Sequence, residues 1–296
     1  MRIIDVCDAA VAAVAVSPDG RFVAASGADS GCAVYDWASG NSVRRLPLGV
    51  GCDQFAFVPG DRVAYVHRGA LHIDRLDETP VPPQPEGEFA GGVAVSPDGK
   101  KLVATRTGPA NQAKLACWGL PAVRPTTGFD YWSPLRKLAF SPDGQFLAGI
   151  WQYAFELRFA ASGGLDVQNQ SRATWRRGRA GASDPVGFVS FTRDSGTCAF
   201  GWDGEVRVLD IATGTSKEVR RVDAPFRDAA FTGSGRHLAT VEGTGRLKLW
   251  DVKAWQVARE YDWECGPLTC LAFTADGTAG VCGTADGRLV QFDVDE

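Results

Sequence analysis

Histidine is scarce: His67, His72 and His237 are the three in 296 residues. That argues against a metal or catalytic centre built on imidazole. Long apolar runs are missing too, and no stretch approaches the roughly 20 residues that a membrane-spanning helix needs. Neither sign of charge dominates, since 31 Lys and Arg face 35 Asp and Glu for a net charge of −4. A general nucleic-acid coat or a membrane-surface binder needs a large cationic excess, so both classes fit poorly. The strings GxSxG, HExxH, the P-loop, a helix-opening GxGxxG and the DxDxDG calcium loop are all absent. Of eight cysteines none forms a CxxC pair, and most sit inside apolar runs. They read as small buried residues in a reducing compartment rather than as disulfides. The expectation is a cytoplasmic protein with no cofactor and no metal. Ala9 to Val16 is apolar, but Asp5 and Asp8 interrupt it and only Arg2 supplies a basic start. It reads as a strand and not as an export signal.

What is present is a repeat. Apolar residues make up 45% and charged residues 22%, a globular balance. The string SPDG occurs at Ser17–Gly20, Ser96–Gly99 and Ser141–Gly144. Weaker copies start at Val58, Thr192, Thr232 and Thr274. With Gly20, Gly60, Gly99, Gly144, Gly196, Gly235 and Gly277 as markers, the spacings are 40, 39, 45, 52, 39 and 42 residues. Seven copies therefore fill positions 1–296, read as one domain. Ahead of each turn stands a triplet with a small middle residue, from Val14-Ala15-Val16 through Val189-Ser190-Phe191 to Leu271-Ala272-Phe273. A large-small-large strand has a tight neighbour on one face, as strands crowded around an axis would. A second apolar strand, a Gly- or Asp-bearing turn, an alternating third strand and a polar fourth strand follow. Four short strands per copy and seven copies predict an all-β fold, a seven-bladed β-propeller of four-stranded antiparallel blades.

These residues resemble the WD-repeat β-propeller family over nearly the whole chain. The resemblance rests on the SPDG-like turns, the Asp-Gly turns and the third-strand endings Tyr35-Asp36, Leu209-Asp210, Trp250-Asp251 and Phe292-Asp293. One copy has the literal Trp-Asp pair, and the family's Gly-His pair ahead of the first strand is absent from every copy. The family's buried His-to-Asp network is therefore not expected, and apolar packing has to hold the blades. The last copy stops after its third strand, while Arg2 to Val6 is a spare strand ahead of copy one. As in circular propellers, pairing the N-terminal strand with the C-terminal blade would close the ring and remove an open sheet edge. In blade two, Thr79 to Glu86 (TPVPPQPE) predicts a reduced or missing outer strand, because Pro blocks ladder bonds.

The family implies a non-catalytic scaffold for protein–protein interaction. Trp, Tyr and Arg dominate binding hot spots, and blades four and five concentrate them. The connection from Ser171 to Asp184 carries Arg172, Trp175, Arg176, Arg177 and Arg179. Trp151 and Tyr153 lie at the second turn of blade four, Trp202 at that of blade five, and Trp132 just before blade four, with Arg136 and Lys137 next in line. Together they form the candidate partner-binding patch, suited to an acidic or apolar segment of another protein. The alternative packing for these Trp residues is between blades. A second reading makes 171–184 a binder of nucleic acid or an acidic ligand, with Trp175 stacking on a base; the net charge counts against nucleic acid. A third is an enzyme with a central-channel site, for which Asp53, Arg136, Lys137, Arg227 and Asp228 are the charged candidates. No membrane contact is expected, and the propeller is expected to be monomeric.

Overall fold

The computed structural model describes residues 1–27, 31–46, 52, 54–77, 88–107, 113–131, 135–151, 154–160, 171–176, 187–202, 205–221 and 226–294. These residues form 27 strands and no helix, so none of them forms a helix able to cross a membrane. Blade one is β2 (Val11–Val16), β3 (Phe22–Gly27), β4 (Gly31–Asp36) and β5 (Ser42–Leu46). Blade two is β6 (Phe55–Val58), β7 (Arg62–His67) and β8 (Ala70–Arg75). Blade three is β9 (Phe89–Val95), β10 (Lys101–Thr107), β11 (Ala113–Gly119) and β12 (Arg124–Tyr131). Blade four is β13 (Lys137–Phe140), β14 (Phe146–Trp151), β15 (Ala154–Phe159) and β16 (Ser171–Arg176). Blade five is β17 (Gly187–Phe191), β18 (Thr197–Trp202), β19 (Glu205–Asp210) and β20 (Ser216–Arg221). Blade six is β21 (Phe226–Phe231), β22 (His237–Glu242), β23 (Arg246–Asp251) and β24 (Val257–Asp262). Blade seven is β25 (Leu268–Phe273), β26 (Ala279–Thr284) and β27 (Arg288–Asp293), completed by β1 (Arg2–Asp5).

All seven sheets are antiparallel, and the inner strands β2, β6, β9, β13, β17, β21 and β25 meet in a closed circle. Six sheets have four strands; blade two has three among the described residues, and its Pro-rich segment lies outside them. Closure follows the expected register, with Arg2 opposite Gln291 and Asp5 opposite Arg288. Arg2 then reaches over to blade one, where Nη1 donates to the Ala38 carbonyl at 2.6 Å and Nη2 to that of Ser39.

The repeated turns have a shared chemistry. Ser17, Ser96 and Ser141 each donate a hydroxyl hydrogen bond to the Asp two residues on, at 2.6 Å. Thr192 and Thr274 do the same with Asp194 and Asp276, at 2.7 and 2.6 Å. The residue after the Asp turns left-handed, which suits Gly: φ is +71° at Gly20 and +67° at Gly99. In blade five that position belongs to Ser195, at φ 60°, and not to the Gly196 used as the marker. The true alignment is one residue earlier. Ser195 is kept there by its Oγ, which accepts from the Asp143 amide of blade four at 3.0 Å.

The core is divided among the blade interfaces, and seven apolar clusters fill them among the described residues. Strand alternation explains this: Phe22 and Ala24 face blade two while Val23 and Ala25 face blade seven. The inner triplets obey one rule. Their large residues pack toward the preceding blade, as Phe55 and Phe57 do on blade one. The small middle residue meets the following blade, as Ala15, Ala94 and Ala230 do. Ser190 shows why size matters there, because the Phe231 amide of blade six donates to its Oγ at 3.0 Å. Apolar packing is supplemented by a few buried polar pairs. Trp250 Nε1 donates to Thr240 Oγ1 at 2.9 Å, and the Tyr65 hydroxyl donates to Asp74.

Candidate functional site

Two places were open to function on the sequence, the channel and the blade four–five face. The channel is a cavity of about 180 Å³ bounded by the first strands of six blades. Its polar side chains occupy one repeat position, immediately before the triplet: Gln54 in blade two, Lys137 in blade four and Asp228 in blade six. Lys137 Nζ donates to Asp228 Oδ1 at 3.1 Å, skipping past blade five. The other Asp228 oxygen accepts from the Leu271 amide of blade seven at 3.2 Å. Gln54 Nε2 donates to the Leu138 carbonyl at 2.7 Å. Its Oε1 accepts from the amides of Leu138 at 3.0 Å and Val93 at 3.2 Å. Gln54 thus ties blades two, three and four, and Asp228 ties four, six and seven.

This arrangement has little chemical reach. The ammonium and the carboxylate are engaged with each other across the ring. Cys270 also lines the cavity, and burial pushes its thiol up to about 12, which keeps it protonated and poorly nucleophilic. Among the described residues no three His, Cys, Asp or Glu side chains gather as metal ligands. Arg136 and Arg227 are exposed, and Asp53 lies outside the described residues.

The blade four–five residues divide differently from the expectation. Ser171 to Arg176 is strand β16, the outer strand of blade four, and not the start of a long loop. Trp175 sits opposite Phe155 and Arg176 opposite Ala154. Its neighbour Ala173 packs on the blade four–five core while Thr174 is exposed. Trp151 ends β14 in register with Ala154. Trp202 ends β18 and is 1% exposed, so it belongs to packing and not to a docking surface. Its ring meets Phe200 edge-on at 6.0 Å, and Phe200 stacks on Phe155 at 3.8 Å. Parity carries the reason, because Cys198, Phe200 and Trp202 alternate along β18 onto the face toward blade four. Trp132, Tyr153, Arg177 and Arg179 lie outside the described residues.

Residues 2–36 match the family model described as WD domain, G-beta repeat. Among curated proteins, the chain is 30% identical over 91 residues to an uncharacterized WD repeat-containing protein of Schizosaccharomyces pombe, covering 31% of this chain and 23% of that protein. It is also 30% identical over 161 residues to Telomerase protein component 1 of Mus musculus, covering 53% of this chain and 6% of that one. The matches therefore span less than a quarter of either relative's length.

Proposed function

We propose that this seven-bladed propeller, similar to WD-repeat proteins, works as a non-catalytic platform for binding another protein. The observation that carries this reading is the use of the channel's polar groups. Gln54, Lys137 and Asp228 are engaged in blade-to-blade bonds, so the place where a propeller enzyme would do chemistry serves to hold the ring. This reading puts the binding surface on the blade four–five side, on strand β16, which carries Arg172, Trp175 and Arg176, and at the exposed Arg136. Its partner is an acidic or apolar segment. Trp132, Trp151, Tyr153, Lys137, Arg177 and Arg179 remain sequence candidates for contacting the same partner. The platform acts as a monomeric ring in the cytoplasm.

The test is capture from native cell extract with the intact chain and with Arg172→Glu/Arg176→Glu, both checked for equal melting temperature. A specific partner recovered by the first and lost by the second is the expected result. Equal recovery would remove β16 from the surface. Recovery abolished by nuclease would point to nucleic acid as the ligand.

A further inference from the structure

Cys32 and Cys52 lie on opposite sides of the blade one–two interface, yet their sulfurs are 3.5 Å apart. Cys32 is on β4, opposite Leu46, and Cys52 stands just ahead of β6. Both residues are buried, at 4% and 3% exposure. The backbone around Cys52 is held to blade one by the Ser26 hydroxyl, which donates to the Cys52 carbonyl at 2.9 Å. A disulfide needs sulfurs about 2.05 Å apart, so closing this gap requires the two sulfurs to approach by about 1.5 Å. None of the eight cysteines is disulfide-bonded in the structure.

We propose that Cys32 and Cys52 are a covalent modification site, closed by hydrogen peroxide into a reversible disulfide that bolts blade one to blade two. A partly open cavity of about 620 Å³ has Cys32 in its wall together with Asp5, Tyr35 and Arg45, and offers the approach for the oxidant. The Cys32 thiol also differs from the other buried ones whose shifts are known. The Cys52 sulfur hydrogen-bonds to that of Cys32 and holds the Cys32 thiol below its ordinary value, whereas burial pushes Cys117 up to about 12.

The chemistry balances with peroxide as the sole oxidant. The Cys32 thiolate attacks one peroxide oxygen, the O–O bond breaks, and the other oxygen leaves as water after taking the thiol proton. Cys32 is then a sulfenic acid. The Cys52 sulfur attacks the Cys32 sulfur, the S–O bond breaks, and a second water leaves with the Cys52 proton. Two thiols lose two electrons and two protons, and one peroxide becomes two waters.

The experiment treats the folded full-length protein with hydrogen peroxide, alkylates remaining thiols in denaturant and maps tryptic peptides by mass. Cleavage at Arg44 and Arg45 separates the two cysteines, so a bridge appears as two joined peptides. The expected result is loss of both thiols to alkylation, a joined Cys32–Cys52 peptide pair as the dominant linkage, its disappearance with dithiothreitol, and a higher melting temperature for the bridged form. The proposal fails if both thiols remain alkylatable, if other cysteine pairings dominate, or if Cys32 proceeds to sulfinic acid while Cys52 stays reduced. In Cys52→Ala, dimedone should trap Cys32 as a sulfenic acid; an unlabelled Cys32 in that folded variant would overturn the first step.

Discussion

The interface between blades four and five and the one between blades seven and one solve the same packing problem with opposite materials. The first is filled by rings: Phe155 stacks on Phe200, Trp202 meets Phe200 edge-on, and Phe146 and Phe159 lie 5.1 Å apart behind them. The second is filled mostly by smaller side chains, Val11, Val23, Ala25, Ala33, Cys270, Val281 and Leu289, with Tyr35 its buried ring and Trp37 half-buried against it. Its close approach is visible at Gly283, where an added Cβ would lie 2.6 Å from the Cys270 sulfur and 2.7 Å from the Val11 Cβ. The closing interface compensates for its thin side chains with backbone pairing and polar latches. Besides β1 on β27 and the Arg2 latch, Thr269 Oγ1 donates to the Val11 carbonyl at 2.6 Å and Gln291 Nε2 to the Trp37 carbonyl at 3.2 Å. One interface is secured by apolar area, the other by proximity. The first is therefore damaged by removing atoms and the second by adding them.

Trp202→Ala should have the largest effect, a loss of about 3–5 kcal/mol in urea unfolding, as expected for a fully buried aromatic. A loss under about 1 kcal/mol would mean that ring area does not hold the blade four–five interface. Gly283→Ala comes next, at about 1–3 kcal/mol from overpacking. A neutral outcome would show that blades seven and one can part slightly without cost. Lys137→Met leaves Asp228 without its cation and should cost about 1–2 kcal/mol, below the value for a fully buried pair because both groups keep some water. The same loss should appear in the Trp202→Ala background, whereas Gly283→Ala should couple to it, because Cys270 both lines the channel beside Asp228 and lies 2.6 Å from the added Cβ; double-mutant cycles measure this.

The smallest expected effect lies in the repeated turns, which are common to both sides of the comparison. The Ser96, Thr192 and Thr274 hydroxyls hold the carboxyls of Asp98, Asp194 and Asp276 below the ordinary value of 3.8. A carboxylate lowered in the folded state contributes stability that is fully present above that ordinary value. It is lost as pH falls through the lower folded value. Asp98→Asn should therefore melt slightly earlier near neutral pH and show a shallower decline in melting temperature below about pH 4. An unchanged acid limb would mean that these turns do not contribute to the acid sensitivity.

Much of the fold was readable in local pattern, because a propeller repeats a local solution. The small middle residue of the triplets marked the forward-facing contact in every blade, and the spare strand at Arg2 marked the closure. The misplaced features are those decided between blades. The Trp202 ring was assigned to a turn, although its parity with Cys198 and Phe200 places it on the inner face. Gly196 marks the turn in the repeat spacing, yet the left-handed residue is Ser195, whose Oγ accepts from the Asp143 amide of blade four. Lys137 and Asp228 stood out as charges near the channel, but nothing along the chain announces that blade four reaches blade six. Gln54 was overlooked, although it shares their repeat position. Cys32 and Cys52 meet only because one blade is laid on the next.

Ring closure also has a consequence for biogenesis. A ribosome makes β1 before β27, its partner, with blades one to six and most of blade seven between them. β1 must therefore wait with both edges unoccupied while those blades are made, and the circle cannot shut until β27 emerges. Slow or interrupted synthesis would leave a row of finished sheets with an unsatisfied strand at one end, the kind of species to which a chaperone or a neighbouring nascent chain would attach.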